Sequence, residues 1–280
     1  MPALDAERPR AEAGTAASPR FIVLTTPRSG STWFLDVLGG VPGTTVFAEL
    51  FLPRRKPRED RSMSWRTAEY LDRTQRGHPL FCEASPRLGP RPWSVVTYLD
   101  EVYRRSGAVG FKVMYSNLVR HPELWAYVVS RRVRVVHLVR ANLLDVVVSE
   151  RVWRATRTVH RLAGEPEVAI EPIRIEPVEL VARIRRMRRR TSVMRSLLRI
   201  CRVQVLEVRY EDLVRDPDAF GAVCDFLCVD RVSLRPPSSL VKLVKQPASE
   251  MIRNYDEVTR ALDAAGLGSS YREAAHRPSA

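Results

Sequence analysis

Apolar residues run without interruption from Phe21 to Leu24, stop at a polar turn, and resume with Trp33, Phe34, Val37 and Leu38. The continuous run is the pattern of a strand buried on both faces of a parallel sheet. The three- and four-residue spacing predicts a helix that starts near Gly30, lays one face on that sheet and ends at Gly39-Gly40. The alternation repeats. TTVFAELF (44–51) reads as a short strand or extended segment that delivers Glu49, AVGFKVMYS (108–116) as a second buried strand, VRVVHLVR (133–140) as a third, and RVQVLEVRYEDL as a fourth that runs into an acidic corner. Helical signals lie between them: Ser64 to Gln75, Trp93 to Arg105, His121-Pro122 to Arg131, a segment carrying Asp145 and Ser149, VELVARIRRMRRRTSVMRSLLRI, a helix opened by Asp216 or Pro217, and Ser249 to Gly266 as one helix. Strands alternating with helices imply an α/β protein, a single domain with a central parallel sheet flanked by helices. The start, MPALDAERPRAEAGTAASPR, has no apolar core, so residues 1–19 are expected to be a disordered tail and 20–280 the domain.

The turn after the first strand carries the chemistry. Amides of a first helical turn, with the positive end of the helix dipole behind them, suit a phosphate or sulfate. Gly30 permits close approach, Ser31 and Thr32 add hydroxyl donors, and the cation is Arg28. Against the ATP-binding pattern GxxxxGK[ST], the window Thr25 to Thr32 has Thr in place of the first Gly and Ser31 in place of the Lys. That weakens a kinase or nucleotide hydrolase, which stays as the rival reading. At the exit of the third strand stands Arg140; ligands of open α/β sheets bind outside the carboxyl ends of the strands, so Arg140 should share a crevice with Arg28. Lys112, in mid-strand, needs an anionic partner or a route to solvent. His137 reads as a core residue.

Composition narrows the classes. Net charge is +14, with 46 basic and 32 acidic residues, and the only lysines are Lys56, Lys112, Lys242 and Lys245. The arginine excess suits either a polyanionic ligand or plain solvated faces; an arginine-rich nucleic-acid-binding protein is a further alternative on charge alone, but no reader motif accompanies it. No stretch approaches the ~18 apolar residues of a membrane span. Four cysteines without a CxxC motif suggest a reducing, cytoplasmic setting.

TTPRSGSTW resembles the 5′-phosphosulfate loop of sulfotransferases that use 3′-phosphoadenosine 5′-phosphosulfate (PAPS), in the form of the carbohydrate and lipid branch. The resemblance runs discontinuously from about Phe21 to Tyr271. It implies a P-loop-like sulfotransferase fold, PAPS as donor, its desulfated form PAP as product, no required metal, and a small-molecule or glycan hydroxyl acceptor on a carbohydrate, lipid or secondary metabolite. It assigns Arg28, Ser29, Gly30, Ser31, Thr32 and Trp33 to the nucleotide's 5′ side, with Arg28 also reaching the leaving oxygen. Arg140 and Ser149 resemble the pair that grips the 3′-phosphate, although their spacing is nine where eight is usual. FAELF resembles the family's GELF segment, making Glu49 the general-base candidate. His121 competes, because the phenol-type branch has a histidine beyond its second strand. KVMY gives Lys112 a secondary place, and Lys245 with Asn254 resembles a late K…NYDE segment near the nucleotide. RYEDLVRDP also matches the family and reads as structural. Residues 161–177 are expected to shape the acceptor site or a contact with a second copy in a homodimer.

Overall fold

The computed structural model describes residues 19–52, 78–156, 161–162, 170–231, 240–241, 244, 246–268 and 271. The expected tail apart from Pro19, the expected helix at 64–75 and the loop ahead of it, and Lys245 lie outside the described residues.

In chain order the elements are β1 (Arg20–Thr25), α1 (Ser31–Gly39), β2 (Thr44–Phe47), α2 (Phe81–Ala84), α3 (Trp93–Val102), β3 (Ala108–Met114), α4 (Tyr115–Arg120), α5 (Pro122–Ser130), β4 (Arg134–Val139) and α6 (Leu143–Thr156). Then follow β5 (Arg161–Leu162), α7 (Pro177–Ile200), β6 (Val205–Arg209), α8 (Tyr210–Arg215), α9 (Pro217–Phe226), β7 (Leu240–Val241), α10 (Ala248–Met251) and α11 (Tyr255–Ala264). Five strands form one sheet in the order β2-β3-β1-β4-β6, all parallel, and β5 and β7 make a separate antiparallel pair. From β1 the chain goes to one side for β2 and β3 and to the other for β4 and β6. The switch point, where ligands of such sheets bind, is therefore the carboxyl end of β1.

Alternation along each strand divides the core. Ile22, Leu24, Phe111, Val113 and Val135 pack against α3, α5 and the second half of α7 through Leu99, Leu124, Tyr127 and Leu198. Phe21, Val23, Val136 and Leu138 face α1 and α9 through Phe34, Leu38, Phe220 and Val223. Burying each such side chain contributes about 1.5–3 kcal/mol. Gly110 of β3 is required by this packing, because a Cβ there would lie 2.4 Å from the Phe21 ring. A third cluster joins α6, α7, α10 and α11 through Val148, Val152, Leu180, Ile184, Met251, Val258 and Leu262.

One expected element is corrected. Ser249 to Gly266 is not one helix but α10 and α11, broken at Ile252 to Asn254. The incoming segment before α7 takes those backbone groups: Ile173 N–H donates to the Met251 carbonyl at 2.8 Å, and Arg253 N–H donates to the Ile173 carbonyl at 2.9 Å. The Asn254 amide closes the junction by giving to the Ile175 carbonyl at 2.8 Å and accepting from Ile175 N–H at 3.1 Å. Asn254, expected beside the nucleotide, thus serves as a clamp between segments.

His137 is fully buried as expected, but it is not an inert core residue. Its Nδ1 lies 3.0 Å from Glu207, so that nitrogen carries the proton, and Nε2 accepts from the Tyr115 hydroxyl at 2.5 Å. Arg195 of α7 holds Glu207 with two bonds of 2.8 Å. Burial pulls the imidazole below its ordinary pKa, opposed by Glu207, and burial pushes the Tyr115 phenol up to about 12. The chain of bonds ties α4, β4, β6 and α7 together.

Candidate active site

The site is assembled where β1, β2, β4 and β6 end. Two residues of the loop after β1 have left-handed backbones, Arg28 at φ 62° and Gly30 at φ 82°, which turns the chain sharply into α1. No side chain caps Gly30, so the first-turn amides, which a helix leaves without internal acceptors, face the loop. Ser31 and Thr32 are buried and Trp33 is half-buried. Ser29 has a different task. Thr25 gives its one hydroxyl proton to the Leu138 carbonyl at 2.8 Å, so Ser29, fully buried and 2.6 Å from Thr25, must donate to it. That bond ties the loop down to β4.

Arg28 reaches across to α6 and donates to the Ser149 hydroxyl from Nε at 2.9 Å and from a terminal nitrogen at 2.7 Å. Burial lowers its pKa, with Glu150 opposing and Arg140 adding to the shift. Guanidinium remains protonated nonetheless. Ser149, expected to act beside Arg140, is instead bonded to the loop arginine, and this bond joins the two expected phosphate sites.

Arg140 stands on the β4 exit with its guanidinium 4.2 Å over the Tyr210 ring. One terminal nitrogen donates to Asp145 at 3.2 Å. Its Nε lies 3.0 Å from Glu211, an ion pair by distance whose N–H is not aligned for a hydrogen bond. Glu211 also accepts the Ala141 and Asn142 amides at 3.0 Å each, and Asn142 caps α6 by accepting Asp145 N–H. Tyr210 and Glu211 were expected only as structure. They pack against the candidate site residues Gly30, Trp33 and Arg140, and the rule that located Arg140 locates them, since they directly follow the carboxyl end of β6.

Tyr210 also forms the roof of the loop. Its ring meets Trp33 edge-on at 5.5 Å, and a Cβ on Gly30 would lie 2.1 Å from its ring. Gly30→Ala therefore meets both a steric block and an unfavourable φ, and should destabilise the chain by about 2–3 kcal/mol. Adding Tyr210→Ala should return part of that loss because the clash is removed. Denaturant unfolding of the two single variants and the double variant checks this, and strictly additive losses would refute it.

Glu49 lies two residues past β2, and its Oε1 is 2.8 Å from Lys112 Nζ. The lysine side chain is 3% exposed, so this carboxylate is the anionic partner its burial demands. Alternation along β3 puts Lys112 on the face that α1 covers. His121 has its ring 5.1 Å from Phe51 and 5.5 Å from Phe81. Its buried Nδ1 has no hydrogen-bond partner among the described residues, and burial, with Arg91 adding, lowers its pKa.

A parallel sheet with an anion-shaped turn after its first strand defines a P-loop-like α/β protein. The chain belongs to the sulfotransferase family, whose model matches residues 19–232. Sulfuryl transfer is its class of reaction. Among solved structures, the sulfotransferase from Alicyclobacillus acidocaldarius is 16% identical, covering 94% of this chain and 98% of its own, with a TM-score of 0.46. The sulfotransferase domain from the curacin biosynthetic pathway is 18% identical over 94% and 93%, with a TM-score of 0.45. A mouse sulfotransferase complexed with PAP is 12% identical over 92% and 89%, with a TM-score of 0.39. No curated protein matches the chain significantly. The family assignment rests on the match to residues 19–232.

Proposed function

We propose that the protein transfers a sulfuryl group from PAPS to a hydroxyl of a carbohydrate, lipid or secondary-metabolite acceptor, with Glu49 as general base. The observation that supports this reading is the Arg28–Ser149 contact, which joins the loop cation to the α6 hydroxyl with Arg140 close enough to act on Arg28 electrostatically. A nucleotide with phosphates at both ends of its ribose fits two adjoining arginine sites better than a triphosphate, which needs the lysine that Ser31 replaces. The donor supplies an activated sulfur–oxygen bond. Arg28, Ser31, Thr32 and the first-turn amides of α1 would hold its 5′ side, and Arg140 with Ser149 its 3′-phosphate. With the donor bound, the acceptor oxygen would bond to sulfur as the sulfur–oxygen bond to the phosphate broke; Arg28 would neutralise the charge left on the phosphate and Glu49 would take the acceptor's proton. No step calls on a metal.

Isothermal calorimetry tests the donor. PAP should bind without magnesium and more tightly than ATP; a preference for magnesium-ATP would favour a kinase, and indifference to both would remove the nucleotide from the reading. Arg140→Ala should weaken PAP by about 1.5–3 kcal/mol, the range for a hydrogen bond to a charged group, and barely alter the analogue lacking the 3′-phosphate. Equal losses for the two ligands would assign Arg140 to the fold.

A second reading of the base rests on His121. Glu49 is held by Lys112, whereas His121 is uncharged at neutral pH, because its pKa is lowered, and has an unused ring nitrogen among the described residues. A dead but folded His121→Asn beside an active Glu49→Gln would choose it.

A further inference from the structure

α7, at 24 residues the longest described helix, has two unlike faces. Its inner face buries Leu180, Ile184, Met194 and Leu198; in its first half Arg183 pairs with Glu150, the neighbour of Ser149, and in its second half Thr191 bonds the Tyr115 hydroxyl. On the outer face Val178, Val193 and Ile200 are 76%, 59% and 78% exposed. They fall on one line with Ala182, Arg185, Arg189 and Ser196, at steps of three or four residues, so the line runs the length of the helix. Exposed Arg186 and Arg190 flank it on one side, Arg188 and Arg199 on the other.

Two observations separate this face from an ordinary solvated one. From Leu180 to Ile200 the sequence has no acidic residue, and no described acidic side chain pairs with the arginines on or beside the line, unlike Arg183 and Arg195 on the inner side. In addition, three of the eight large exposed hydrophobic side chains among the described residues lie on this one line, where a purely polar face would have none.

We propose that the outer face of α7 docks on an anionic phospholipid bilayer. Aliphatic side chains along a helix flanked by arginines are the composition of a helix lying in a membrane interface. The guanidinium forks match phosphodiesters bidentately, while their stems cover apolar surface beside Val193 and Ile200. Nucleic acid suits the face less well: it exposes no aromatic side chain on which bases could stack, and a duplex would press its charged backbone on the valines. No described helix is long and apolar enough to cross a membrane, so the contact lies on the surface. The inference is independent of the donor and acceptor proposed above.

Co-sedimentation of the full chain with vesicles tests it. Mixed phosphatidylglycerol and phosphatidylcholine vesicles should retain the protein at low salt and release it at high salt, and pure phosphatidylcholine vesicles should not retain it. Arg185→Gln with Arg189→Gln should lower partitioning by about fivefold per arginine, roughly 25-fold together. Val193→Gln with Ile200→Gln, which leaves the charge unchanged, should also lower it several-fold, with unchanged thermal melting in both variants. Equal retention by neutral vesicles, or none by anionic ones, would overturn the proposal. So would binding to duplex DNA that exceeds vesicle binding and ignores the Val193→Gln/Ile200→Gln change.

Discussion

Arg28→Ala is expected to lower sulfuryl transfer by about 10²–10³-fold, the usual consequence of removing a preorganised group from developing negative charge. Two jobs end together in this variant. The loop loses its cation, and Ser149 loses the donor that holds it at 2.7 and 2.9 Å. A second substitution shows that the loss is chemical and not a matter of folding. Arg28 holds φ 62°, which costs a residue with a Cβ about 1–2 kcal/mol, so Arg28→Gly should melt no lower than the parent while being as inactive as Arg28→Ala. Initial rates under saturating acceptor, with thermal melts of both variants, decide it. An Arg28→Gly enzyme that keeps its turnover would remove the guanidinium from the chemistry.

Glu49→Gln should reduce kcat by about 10²–10⁴-fold with nucleotide affinity near that of the parent. The Lys112 contact adds a stability prediction that catalysis alone would not make. Gln keeps an oxygen for the buried ammonium but not the countercharge, so Glu49→Gln should lose less stability than Glu49→Ala. Glu49→Ala leaves Lys112 buried without its carboxylate and should lose about 3–5 kcal/mol in denaturant unfolding. Removing the lysine as well, in Glu49→Ala with Lys112→Met, should recover much of that loss without restoring turnover. If Glu49→Gln turns over normally, the carboxylate is only the lysine's counter-ion and the proton acceptor lies elsewhere.

What the sequence discloses about this site follows from how local each feature is. β1, its loop and α1 are contiguous, and their apolar spacing and glycines predict them nearly to the residue. Arg140 is readable because a strand's exit is a local pattern and its position in the crevice follows from sheet topology. Lys112 announces that it needs an anion. Its partner, Glu49, is singled out on other grounds, and only the register that sets Phe47 beside Phe111 brings the two together. Tyr210 and Glu211 escape notice because their importance comes from contacts with Gly30, Trp33 and Arg140, all distant along the chain. Ser149 is singled out in the sequence, but its bond to Arg28 is not, because the two lie far apart along the chain. The break between α10 and α11 is invisible locally, since it is made by Ile173 pairing with the far segment.

The ring of Tyr210 resting on Gly30 has a consequence for biosynthesis. A growing chain makes β1 and α1 early, yet the loop between them has no roof until β6 has been made and has delivered Tyr210. Domains fold as units once their segments emerge, so a nascent or prematurely terminated chain ending before Tyr210 would present the loop without its final shape. On the proposed reading of the loop, its anion affinity would then emerge late in synthesis, and shortened fragments would not compete with the finished enzyme for its donor.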